Sequence, residues 1–115
     1  MAERTAWIIL DDDNFDTAVL EHTGLVMVAF WADWRGACHI MAPVVEHVAT
    51  AFAGRMQVGR LDIDRHPHVP SRYGIHTGPT LLFFAQGKVV DHIQGVISTR
   101  DLTDKLHALL DPLDT

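Results

Sequence analysis

The sequence predicts an α/β domain built on a mixed β-sheet, and three observations carry that prediction. The run LVMVAFWA (25–32) is apolar without a break, the pattern of a strand covered on both faces. Around it, strand-like and helix-like segments alternate as far as residue 75, which calls for parallel strands joined by crossover helices. The C-terminal part instead opens with a hairpin, so antiparallel strands join the parallel ones before a last helix closes the sheet.

In chain order, TAWIIL (5–10) is apolar and β-branched and reads as the first strand. It breaks at DDDN, where Asp12 or Asp13 can cap a helix with Phe15, Val19 and Leu20 on one side. Gly24 ends that helix, and the central strand 25–32 follows. From Gly36 a long helix is expected, because Met41, Val44, Val45, Val48 and Phe52 recur at helical spacing until Gly54, with Pro43 inside it. MQVGRLDID (56–64) sets Val58, Leu61 and Ile63 among polar neighbours and reads as a third strand. HPHVPSRYGI (66–75) leaves room for only a short helix. TLLFFAQGKVVDHIQG (80–95) is two strands hinged at Gln86-Gly87. Ser98 with Asp101 forms the start of a final helix whose Leu102, Leu106, Leu109 and Leu110 make one apolar face before Pro112. The order is βαβαβαββα, one domain over residues 1–115 with neither repeat nor linker.

Composition narrows the function. The 115 residues are 48% hydrophobic and 21% charged, as in an ordinary globular domain. Fifteen acids against nine bases give a net charge of −6, which argues against nucleic acid or an anionic membrane surface as partner. No apolar run reaches the roughly 18 residues of a membrane span, and MAERTAW lacks the apolar centre of a signal peptide. A cytoplasmic protein is therefore the default, and a monomer is expected. Cys38 is the single cysteine, so thiol chemistry needs a second molecule. His39 beside Cys38 and the His66-Pro67-His68 pair lack the spacing of a structural zinc site; neither metal nor cofactor is expected.

The stretches FWADWRGACHIMAPVVEHVA, VGRLDID, YGIHTGPTLLFFAQGK and IQG resemble the thioredoxin family, in register, across nearly the whole chain. The resemblance implies the thioredoxin fold, a central mixed five-stranded sheet flanked by four helices. In that family the first stretch carries Trp-Cys-Gly-Pro-Cys, and the Thr-Gly-Pro-Thr segment matches a loop with a cis-proline, here Pro79. The family's first cysteine sits at a helix N-terminus, where unpaired amides favour its thiolate and its attack on a disulfide. The second resolves the mixed disulfide.

By this match Cys38 holds the resolving position, and Arg35 stands where the attacking cysteine would be. A guanidinium is not a nucleophile. Ala29 replaces the family's usual buried aspartate, which assists proton transfer to the resolving thiol. Ala37 replaces the proline between the cysteines, and Gly78 the large apolar residue before the cis-proline. Trp34, Gly36, Ala37, Gly78, Pro79, Gly95 and Val96 would line a groove that binds polypeptide, because backbone groups beside a cis-proline can pair with an extended segment.

The resemblance thus implies a relative of the thiol-disulfide oxidoreductases that binds protein clients without dithiol turnover. One alternative is an oxidoreductase whose first cysteine is replaced by Arg35, for instance by engineering, with a thioredoxin reductase as partner once the cysteine is restored. The other is a thioredoxin-fold chaperone or assembly factor. For Cys38 itself, a monothiol that forms mixed disulfides stands against an inert buried relic, and the shielded position favours the relic.

Overall fold

The computed structural model describes residues 7–114, with side chains through Asp111. Five strands, β1 (Trp7–Leu10), β2 (Leu25–Trp31), β3 (Gln57–Asp62), β4 (Thr80–Ala85) and β5 (Lys88–Gln94), form one sheet in the order β1-β3-β2-β4-β5. β1 and β2 pair parallel with β3, whereas β4 is antiparallel to both β2 and β5. The sheet is mixed for the reason the patterning indicates: crossovers supply the parallel strands and a hairpin the antiparallel one. Among the described residues three α-helices, α1 (Gly36–Ala51), α2 (His68–Arg72) and α3 (Thr99–Asp114), and a five-residue π-helical segment (Asp16–Leu20) flank it.

Strand alternation divides the core into two. Leu25, Met27 and Ala29 of β2 and Leu81 and Phe83 of β4 face Met41, Val45 and Val48 of α1 and Leu102, Leu106 and Leu110 of α3. Val26, Val28 and Phe30, with Leu82 and Phe84, face Phe15, Val19 and Val69 on the opposite side. A strand covered on both faces has no polar side to show, which is why residues 25–30 are all buried.

Local signals in the sequence set several boundaries. The β4–β5 turn places Gln86 at φ 53° and Gly87 at φ 80°, as a two-residue type I′ connection requires. The Ser98 hydroxyl accepts the amide N–H of Asp101 at 3.0 Å and caps α3.

Other boundaries differ from expectation. The first helical segment is capped by neither Asp12 nor Asp13. The Asp11 carboxylate accepts the N–H groups of Asp13 and Asn14 at 2.8 and 2.7 Å. The segment then winds as a π-turn, with the Glu21 N–H reaching Asp16 O at 3.1 Å. Asp12 is used across the chain instead: its carboxylate accepts the N–H groups of Val69 and His68 at 3.0 and 3.3 Å and so caps α2. The third strand ends at Asp62 rather than residue 64, because the Asp62 carboxylate takes the Asp64 and Arg65 N–H groups into a turn. α3 continues past Pro112 to Asp114. Thr5 and Ala6 of the expected first strand lie outside the described residues.

Candidate functional site

The site forms where β2 ends and α1 begins. β2 carries the chain to the sheet's C-terminal edge, and residues 32–35 turn it back into a helix whose first residue is Gly36. Arg35 is the N-cap, extended at φ −96° and ψ 119°, and its side chain makes no capping bond. That side chain reaches across to the loop before β4 instead, where its Nε donates to the Gly78 carbonyl at 3.0 Å. The same guanidinium lies 5.3 Å from the centroid of the Trp34 ring. Trp34 is 67% exposed, and its indole N–H donates to the Asp64 carboxylate at 2.6 Å, which fixes the ring over the surface.

Cys38, the third residue of α1, is 4% exposed. Its Sγ accepts the Ala32 N–H at 3.4 Å. Gly78 packs directly over it: a Cβ at that position would stand 3.1 Å from Cys38 Sγ and 2.9 Å from Phe30 O. The Gly78–Pro79 peptide bond is cis, and Gly78 and Pro79 are both buried. The Pro79 carbonyl accepts the Gly95 N–H at 2.9 Å, at a turn where Gly95 has φ +92°. Val96 follows, 53% exposed. Gly36 is exposed and Ala37 half-buried at the helix start. Trp34, Arg35, Gly36, Ala37, Cys38, Gly78, Pro79, Gly95 and Val96 therefore lie on one end of the sheet, joined through the 32–38 turn, the 77–79 loop and the turn after β5.

Beneath Cys38 lies a feature that sequence reading did not identify. A cavity of about 30 Å³ is lined by Trp7, Ala29, Trp31, Cys38, Met41 and Arg60. Ala29 and Arg60 are register partners across β2 and β3, and the Arg60 guanidinium is stacked between Trp31 at 3.9 Å and Trp7 at 4.8 Å. The signal for this was the parity of β3. Arg60 falls on the same face as buried Val58, so a cation points inward next to the position where the resemblance leads one to expect a carboxylate.

A thioredoxin family model matches residues 6–108. The chain belongs to the thioredoxin family. A thioredoxin of Acidithiobacillus ferridurans is 39% identical over 105 residues, 91% of this chain and 97% of that protein. A thioredoxin of Thiocapsa roseopersicina is 45% identical over 78 residues, 68% of this chain and 86% of the other. The chloroplastic M-type thioredoxin of Spinacia oleracea is 36% identical over 103 residues, 90% of this chain and 57% of that longer protein.

Within this thioredoxin-family site the chemistry is limited by the side chains present. The single thiol is covered by the 77–79 loop, and the position ahead of it offers a donor of hydrogen bonds rather than a nucleophile. Among the described residues that line the cavity beside the thiol there is no carboxylate to accept a proton. Among the described residues no group of three His, Cys, Asp or Glu side chains could hold a metal ion, and His39 spends its Nε2 on the Asp33 carbonyl at 2.6 Å. No described helix is long and apolar enough to cross a membrane.

Proposed function

We propose that this thioredoxin-family protein is a single-domain cytoplasmic polypeptide binder that holds extended segments in the groove beside Pro79 and does not turn over disulfides. The observation that carries this reading is the Arg35 Nε to Gly78 O hydrogen bond, which puts a non-nucleophilic cation across the groove and in front of a buried thiol. Disulfide exchange by a dithiol needs an accessible attacking sulfur and a resolving one. This chain offers one cysteine, at the shielded position. Peptide binding makes no such demand, because main-chain pairing and an exposed aromatic ring suffice.

The test is insulin reduction with NADPH and a thioredoxin reductase as electron source. The expected rate does not exceed that of a free thiol at equal concentration. Robust turnover would overturn the reading and make Cys38 a competent monothiol enzyme.

A further inference from the structure

The main-chain groups at the loop before β4 are unequally occupied. Pro79 has no N–H, and its carbonyl is taken by Gly95. Gly78 is thus the residue that can pair with an extended segment, through one N–H and one C=O. Among the described residues the Gly78 N–H has no hydrogen-bond partner, whereas the C=O already holds Arg35 Nε at 3.0 Å and, more loosely, the Thr77 hydroxyl at 3.5 Å. Arg35 has no carboxylate partner among the described residues, although the molecule carries an excess of acids. The nearby Asp64 carboxylate is engaged by the Trp34 indole instead. An unpaired guanidinium thus sits on the one acceptor that a docking peptide would use.

We propose, on the footing of the polypeptide-binding reading above, that Arg35 makes this groove selective for extended segments bearing an Asp or Glu side chain. A client carboxylate draws the guanidinium off Gly78 O into a charge-assisted, two-pronged pair. The lone pair that Arg35 held is then open to the client's N–H, the Thr77 hydroxyl keeping its longer contact, while the Gly78 N–H takes a client carbonyl. A neutral segment must break the same Arg35 bond without that return, and a Lys-bearing one meets a like charge. The net charge of −6 opposes acidic clients at long range, but salt screens that field within about 8 Å at physiological ionic strength, and the Arg35 contact is shorter than this.

The experiment measures binding of short Val/Thr-rich peptides, identical except for one Glu, Gln or Lys moved through each position, to the wild type and to Arg35→Gln. The glutamine keeps a donor for Gly78 O and removes the charge. The wild type should bind the best Glu peptide about fivefold more tightly than its Gln counterpart, the upper range of a solvent-exposed ion pair, and the Lys peptide least. That preference should shrink with added salt and vanish in Arg35→Gln, which should still bind the Gln peptide. Equal binding of all three peptides by the wild type would overturn the selectivity while leaving the groove reading intact, as would a Glu preference that survives in Arg35→Gln. Absence of binding by any peptide to either protein would overturn both.

Discussion

Replacing Gly78 with alanine tests whether the loop lies on Cys38 as tightly as the structure has it. The added Cβ would stand 2.9 Å from the Phe30 carbonyl oxygen, 3.1 Å from the Trp31 Cα and 3.1 Å from Cys38 Sγ. Two of these three atoms are backbone of β2, which is bonded to β3 on one side and β4 on the other and cannot give way cheaply. The backbone of Gly78 is not in the left-handed region, so the cost is one of contact rather than of dihedral strain. Overpacking of this kind costs about 1–3 kcal/mol. For a domain of this length that lowers Tm by roughly 5–15 °C. Thermal and urea unfolding followed by circular dichroism would read it, with an unchanged m-value showing that stability alone has moved. Gly36→Ala is the control, because nothing lies within 4 Å of its Cβ and the residue is helical. It should be neutral or stabilising by up to about 1 kcal/mol. A Gly78→Ala protein that melts at the wild-type temperature would refute the packing of this loop on β2 and Cys38.

Arg35→Cys should create a pair that closes into a disulfide with Cys38, since the Cys38 N–H bonds to the Arg35 carbonyl at 3.1 Å across a single turn. Its insulin reduction should be partial, and adding Ala29→Asp should raise it by placing a carboxylate in the cavity beside Cys38 and Arg60; full activity from Arg35→Cys alone would mean that Ala29 is no handicap. In the native wild type Cys38 should alkylate slowly and become fast on denaturation, because it is 4% exposed; rapid native labelling at neutral pH would contradict its burial. Asp91 titrates below the usual carboxylate range, chiefly because Lys105 hydrogen-bonds it at 2.7 Å. Its folded pKa is the depressed one, so this contribution is present above the unfolded value of about 3.9 and is lost as pH falls through the lower folded value. Lys105→Met should accordingly lower stability at neutral pH and flatten the acid limb of a stability–pH profile, and a variant whose limb matches the wild type would exclude that pair as a contributor.

Periodicity and local hydrogen bonds were legible in the sequence because they depend only on residues a few positions apart. The unbroken apolar run at 25–30 had to be covered on both faces, and Gln86-Gly87 had to turn with both residues at positive φ. Ser98 had to cap α3 through a bond three residues long. The registered resemblance around Trp34, Cys38 and Pro79 marked the family in the same way, since those positions are read directly from the chain. What the tertiary structure alone decided are contacts set by the strand order β1-β3-β2-β4-β5, which no local window contains. Asp12 caps α2 rather than its own helix because β1 ends near the start of α2, 56 residues further along the chain. Arg60 meets Trp7 and Trp31 because β3 lies between β1 and β2, and this stacks a cation beside the cavity left at Ala29. Arg35 reads in sequence as a missing cysteine. Only the return of the chain at the loop before β4, 43 residues later, brings the Gly78 carbonyl within its reach and turns an absent nucleophile into a hydrogen-bond donor across the groove.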